Sequence, residues 1–208
     1  MLQGYDTDIG DVSAWSTLGY LKDPILSTML RRREGSLANL ILHELTHGTL
    51  FVKNDLELNE NLASFVGDLG AIRFLKQKYG PESKELLAYE FSKKYNDAYS
   101  RHVFRGIKRL DSLYVTFGTS MEPDPLKDSL KKNMITKILN DADTLLTGKI
   151  TLKANTRRNW DPLPNNAFFI SYQTYKSRQN IFLIEYKTKF GADFKKYLTY
   201  LKEKYPSL

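Results

Sequence analysis

Two histidines interrupt an apolar helical pattern early in the chain, and they constrain the fold more than any other feature. Leucine or isoleucine recurs at helical spacing from position 37 to position 50, which predicts an amphipathic helix with Ser36 as its N-cap. His43, Glu44 and His47 fall inside this helix, in the pentapeptide H-E-L-T-H. Polar side chains in a helix face that is meant to be buried need a partner that satisfies them.

The spacing of the two histidines suits a single metal ion. Residues i and i+4 lie on the same side of a helix, so His43 and His47 can both direct a ring nitrogen at one ion. Glu44 then lies beside the ion without binding it, where a carboxylate takes a proton from the attacking water in zinc hydrolases. The alternative is a chance match in which core hydrogen bonds satisfy both histidines, and residue usage makes such a match rare, about one chain in a hundred.

A catalytic zinc site needs a third protein ligand, and the next predicted helix supplies the best candidate. A third histidine six residues beyond the motif is excluded, because Lys53 stands at that position. Glu60 interrupts the apolar face of the following helix near its start, where a bound cation would compensate a buried charge. Asn54-Asp55 is predicted to form the turn before that helix. Asp55 and Glu57 fall in or near this turn, and we interpret both as solvated.

The composition narrows the class of protein. The chain has 208 residues, 41% of them hydrophobic, which is ordinary for one globular domain. It has no cysteine, so any metal must be held by His, Asp or Glu. The net charge of +7 is spread along helical segments and is not massed in one tract, so nucleic-acid binding is not expected. His102 lies in such a basic segment, and we interpret it as a structural or surface residue.

The chain is predicted to form a single, mainly α (α+β) domain over residues 1–208. A small β element of one or two short strands is predicted within residues 9–20, beside the histidine-bearing helix. The second helix is predicted to end at Gly80-Pro81. Further helices are predicted at about 82–116, 124–145, 165–189 and 192–204. The polar, proline-bearing region 146–164 is interpreted as a loop with a short strand at 149–153.

Three separate stretches resemble one known family. They are STLGYLKDPILSTML, LANLILHELTHGTLFVKNDLELNENLASFVGDLG and LPNNAFFISYQTY, in the same order as in the family, between about Asp11 and Tyr205. The chain thus resembles the putative aminopeptidases, a bacterial group within the gluzincin-type zinc peptidases. The resemblance implies a zincin-like, mainly helical metallopeptidase domain.

The resemblance also implies roles for individual residues. His43, His47 and Glu60 would bind zinc, and Glu44 would be the general base. A tyrosine nine positions after the second asparagine of N-N-A is implied as well, and in this chain that residue is Tyr175. Its hydroxyl would donate a hydrogen bond to the oxyanion that forms when water attacks a peptide carbonyl.

Two departures from the family pattern bear on the site and on localisation. Gluzincins of the thermolysin type place an aspartate four residues after the glutamate ligand, whereas Ser64 stands there in this chain, so Asp68, one turn on, is the candidate for orienting a histidine. Family members often begin with a lipoprotein-type signal, whereas this chain begins almost at the S-T-L-G motif. We expect a soluble chain without a transmembrane segment, in the cell envelope if such a signal was removed and otherwise in the cytoplasm.

The sequence therefore predicts a zinc-dependent peptidase that acts on a peptide or protein. Exopeptidase and endopeptidase action both stay open, because the G-x-M-E-N motif of well-known gluzincin aminopeptidases is absent. The segment AWSTLGYL is either an edge strand that pairs with an extended substrate or an ordinary core strand. One alternative function is a catalytically inactive, zinc-containing protein-binding module, against which the intact Glu44 argues. The other is a basic helical protein that binds nucleic acid.

Overall fold

Seven α-helices and one short 3-10 helix, Met29–Arg31, make up most of the chain that the structure describes. The computed structural model describes residues 6–7, 14, 17, 21–119, 124–142, 145, 160–176 and 179–205. The helices are α1 (Glu34–Thr49), α2 (Leu56–Tyr79), α3 (Lys84–Thr119), α4 (Asp124–Asp141), α5 (Asn166–Lys176), α6 (Gln179–Phe190) and α7 (Phe194–Lys204). The prediction of a mainly α fold is confirmed. Apart from two isolated positions, both predicted strand regions lie outside the described residues.

The start of α1 differs from the prediction. Ser36 is not its N-cap, because the helix already begins at Glu34, after an extended Arg33 that makes no side-chain cap. Glu34 accepts hydrogen bonds from Lys78 Nζ at 2.8 Å and from the Tyr79 hydroxyl at 2.5 Å, both in the last turn of α2. This tertiary contact holds the first turn of α1 in place of a capping side chain.

A short turn reverses the chain between α1 and α2, as the Asn-Asp pair predicts. Asn54 adopts a left-handed backbone conformation with φ of 62°, which asparagine tolerates better than most residues. Asp55 caps α2, since its carboxylate accepts a hydrogen bond from the Leu58 N–H at 2.9 Å. The helix ends at Tyr79 before Gly80, whose φ is 94°, so the predicted stop at Gly80-Pro81 is confirmed.

Small residues bring α1 and α2 close together. A Cβ atom at Gly67 would lie 2.8 Å from the backbone oxygen of Asn39, and one at Gly70 would lie 2.3 Å from Leu42 Cδ1. Both distances are below van der Waals contact. A Cβ atom at Gly67 would meet a backbone atom and push the helices apart, whereas one at Gly70 would require the Leu42 side chain to move. Glu34 at the start of α1 contacts Lys78 and Tyr79 in the last turn of α2, and a short turn joins the two helices, so they form an antiparallel hairpin.

The helices fall into two compact units, each with its own apolar core. One unit comprises Gly10–Phe91 with Gln173–Leu208 and contains α1, α2, α6 and α7. Its core combines the α1–α2 hairpin with the last two helices, through Leu50, Leu58, Leu62, Phe65, Phe182, Tyr186, Tyr197 and Leu201. The single catalytic domain over residues 1–208 stays a prediction.

The other unit comprises Met1–Ile9 with Ser92–Tyr172. Its core is formed by Tyr99, Val103, Ile107, Leu110, Ile135, Ile138, Leu139, Ala142 and Phe169. His102 belongs to this unit, where its Nε2 donates a hydrogen bond to the Ile138 carbonyl at 2.7 Å and so ties α3 to α4. This contact supports a structural role for His102.

The remaining boundaries agree with the predictions to within a few residues, with one difference. The region predicted as one helix over 165–189 is present as α5 and α6, and the two residues between them lie outside the described part of the chain. No helix among the described residues is long and apolar enough to cross a membrane.

Candidate metal centre

Three predicted ligands meet between α1 and α2. His43 and His47 lie one turn apart on the same side of α1, and Glu60 lies in the second turn of α2. Their side chains are 16%, 10% and 13% exposed, respectively, so all three are largely withdrawn from water. One ligand atom from each lies within 4.8 Å of the others, and the group could hold a metal ion.

The distances among the three side chains match the edges of a small coordination polyhedron. His43 Nε2 lies 3.2 Å from Glu60 Oε2 and 3.2 Å from His47 Nε2. His47 Nε2 lies 3.5 Å from Glu60 Oε1. In tetrahedral zinc sites with bonds of about 2.0–2.1 Å, neighbouring ligand atoms are roughly 3.3 Å apart. The three side chains are therefore close enough together to hold a metal ion.

Hydrogen bonds among the three side chains cannot account for all three contacts at once. Two neutral imidazoles can place at most two Nε2–H protons in this group, which satisfy at most two of the three contacts, whereas a cation between the side chains would attract all three. Burial lowers the pKa of His47, and this effect opposes the charge of Glu60, which raises it. A neutral imidazole is the form that binds a metal. The His47 Nδ1 atom is buried and has no hydrogen-bond partner among the described residues.

Glu44 lies outside this triad but within its electrostatic influence. Burial is the largest effect and raises the pKa of the Glu44 carboxyl. The charge of His43 lowers it, whereas the carboxylates of Glu60 and Asp23 raise it further. A carboxylate with a raised pKa is the stronger proton acceptor near neutral pH.

A polar cluster joins α1, α2 and α3 on one side of the triad. The Asn39 amide donates to Asp68 Oδ1 and to the Tyr89 hydroxyl oxygen, both at 2.9 Å. The Tyr89 hydroxyl donates to Asp68 Oδ1 at 3.0 Å. Asn39 stands one turn before His43, so the cluster supports the helix that carries both histidines. In the structure Asp68 accepts hydrogen bonds from Asn39 and Tyr89, and its role in orienting a histidine stays a prediction.

A second polar contact lies next to Glu60 and was missed by the sequence analysis. Asn59, only 2% exposed, pairs its side-chain amide with the backbone of Val52 in the α1–α2 loop. A buried asparagine beside a candidate ligand on an apolar helix face is the signal that points to such a residue. The loop contact itself could not be read from the sequence, because it depends on the path of the loop.

The structure describes the backbone of the predicted oxyanion donor but not its side chain. Tyr175 lies in α5. At the start of the same helix, the Asn166 side-chain oxygen accepts a hydrogen bond from the Tyr114 hydroxyl at 2.6 Å. The role of Tyr175 stays a prediction.

Comparison with known proteins identifies the family. The model of one family, described as Putative aminopeptidase, matches residues 1–204. No curated protein and no solved structure matches the chain. Because the family model covers nearly the whole chain, with α1 and α2 inside the matched region, this protein belongs to the putative aminopeptidase family.

Proposed function

We propose that this protein is a zinc-dependent peptidase in which His43, His47 and Glu60 hold the metal. The observation that carries the proposal is the largely buried group formed by the two histidine Nε2 atoms and the Glu60 carboxylate, with contacts of 3.2–3.5 Å. Two imidazole nitrogens and one carboxylate are a ligand set of catalytic zinc sites, in which a fourth position is left for water or substrate. The zinc-peptidase class that the sequence resembles uses the same residue types.

The chemistry follows from the residues around the triad. A zinc ion held there would polarise the scissile carbonyl and make water more acidic. Glu44 takes a proton from the attacking water and later delivers it to the leaving amine. The Tyr175 hydroxyl donates a hydrogen bond to the oxyanion. The bond that breaks is the peptide bond, and the products are a carboxylate and an amine.

The family name supports a peptide substrate with a free α-amino group. Endopeptidase action is the alternative, and a pair of substrates separates the two. A peptide amide with a free N-terminus and its N-acetylated form differ only in that amino group. An aminopeptidase cleaves the first peptide and leaves the second intact.

Metal analysis of protein purified without chelator tests the proposal. We expect about one zinc per chain in the wild type and little in His47→Ala, which lacks one of three ligands. Thr46→Val is the matched control, because within the described part of the chain the Thr46 hydroxyl bonds only to the Leu42 carbonyl in α1, at 2.6 Å. Absence of any transition metal from the wild type, or full occupancy in His47→Ala, would overturn the proposal.

A further inference from the structure

Asn59 makes a two-bond bridge to a single loop residue. Its side-chain Nδ2 donates to the Val52 carbonyl oxygen, and its Oδ1 accepts from the Val52 N–H, both at 2.8 Å. The Asn59 side-chain amide thus bonds, through its donor and its acceptor, to both the C=O and the N–H of Val52. Asn59 is almost completely buried, so water does not compete for these bonds.

The position of the bridge matters because of what lies at its two ends. Val52 follows the last turn of α1, five residues after His47. Asn59 directly precedes Glu60 on α2. The bridge therefore connects the chain that leaves the histidine helix to the residue beside the carboxylate ligand, across the tip of the hairpin.

Two polar contacts thus flank the triad along the antiparallel hairpin. On the side of the loop, Val52 pairs with Asn59, and on the far side, Asn39 pairs with Asp68. Along the sequence, His43 and His47 lie between Asn39 and Val52. Glu60 lies between Asn59 and Asp68. With the far contact in place, loss of the Val52–Asn59 bridge would free mainly the first turns of α2, where Glu60 lies.

From this arrangement we infer that Asn59 is a positioning residue that fixes the Glu60 carboxylate relative to the two histidines. The inference rests on the proposed metal site and adds to it a residue that does not touch the ion. Groups that orient metal ligands typically contribute a factor of about 10–100 to metal affinity. Substitution of a residue that is needed only for packing would lower the stability of the protein without changing the coordination geometry of the bound ion.

The test measures metal binding directly. Zinc affinity of Asn59→Ala is determined by competition with a chromophoric chelator, and the visible spectrum of the Co²⁺-loaded protein reports the coordination geometry. We expect zinc affinity to fall roughly 10- to 100-fold and the Co²⁺ absorption bands to change in position or intensity. Asn59→Asp keeps the size of the side chain and the acceptor for the Val52 N–H. If the alanine variant does not fold, zinc affinity and the Co²⁺ spectrum are measured on Asn59→Asp in its place.

Leu58→Ala is the stability control. Leu58 is the buried apolar neighbour of Asn59 on α2, and its truncation lowers the melting temperature while leaving the bridge intact. We expect wild-type zinc affinity and a wild-type Co²⁺ spectrum for this variant at temperatures where it is folded. If the folded Asn59 variant binds zinc like the wild type with the same spectrum, Asn59 is not a positioning residue. If the wild type itself binds no metal, the proposed function is wrong, and the inference about Asn59, which rests on it, is wrong as well.

Discussion

At the scale of single residues, the site is explained by the cost of burying charge. Glu60 is mostly buried beside two imidazoles, and an isolated carboxylate in such a place is strongly unfavourable. Protonation of His47 could compensate that charge, but burial opposes it. A divalent cation would satisfy the carboxylate and both ring nitrogens together. Under the proposed function, this would explain why H-E-L-T-H is tolerated in an otherwise apolar helix.

Glu44 is expected to act in catalysis and not in metal binding. Glu44→Gln removes the proton acceptor and keeps the shape of the side chain. Hydrolysis of a cleavable peptide should fall by roughly 10²-fold or more, the usual scale for a positioned general base. Zinc content should stay at the wild-type level. Glu82→Gln, a change at an exposed glutamate of the same unit, is the control, and normal turnover in Glu44→Gln would remove Glu44 from the mechanism.

Tyr175 is proposed to stabilise the transition state. Tyr175→Phe removes only the hydroxyl, so kcat and kcat/KM should fall together by roughly 10- to 10³-fold, while zinc content and melting temperature change little. Tyr79→Phe is the control, because the Tyr79 hydroxyl bonds to Glu34 at the far end of the α1–α2 hairpin. A defect that follows loss of folding, or a normal kcat, would return Tyr175 to a packing role.

At the scale of the helices, the close approach of α1 and α2 is what brings the ligands together. Gly67→Ala places a methyl group 2.8 Å from the Asn39 backbone oxygen, and a backbone atom cannot move aside as a flexible side chain can. The free energy of unfolding should fall by roughly 1–3 kcal/mol, the usual cost of overpacking. Zinc affinity should fall as well, because Asn39 supports the histidine helix. Urea denaturation and chelator competition measure the two effects.

Gly118→Ala is the matched control for this change. Gly118 is also helical, but a Cβ atom there meets no atom of the described residues within 4 Å. Alanine is favoured over glycine inside a helix by about 0.5–1 kcal/mol, so this variant should be as stable as the wild type or slightly more stable. A Gly67→Ala variant that matches Gly118→Ala in stability would show that α1 and α2 have room to separate.

The helices also show which signals in the sequence are reliable. The Asn-Asp turn and the stop at Gly80 were predicted correctly, because each depends on the local backbone preference of one or two residues. The N-cap at Ser36 was predicted wrongly. There the contact of Glu34 with Lys78 and Tyr79, more than 40 residues away, extends the helix past the local signal. Tertiary contacts of this kind leave no periodic pattern in the sequence.

At the scale of the whole molecule, the candidate site also combines features that local sequence patterns predict with features that only tertiary contacts produce. His43 and His47 follow from one helical spacing, and Glu60 follows from a break in an apolar face, so their convergence could be predicted from the sequence. The bridge of Asn59 to Val52 and the cluster of Asn39 with Asp68 could not. The bridge depends on the path of the α1–α2 loop and the cluster depends on how α1, α2 and α3 pack, and neither leaves a local pattern in the sequence.

Metal binding is expected to raise the stability of the folded chain, because the three ligands are assembled only in the native hairpin. For a ligand that binds the native state alone, zinc at 100 times its dissociation constant adds about 2.7 kcal/mol. In a protein of this size, that corresponds to a rise of roughly 5–11 °C in melting temperature. Differential scanning calorimetry of the chelator-treated protein, before and after zinc is restored, measures the shift. Glu44→Gln should show the full rise and His47→Ala little or none. An equal rise in His47→Ala would mean that the stabilising ion binds somewhere other than the His43–His47–Glu60 triad.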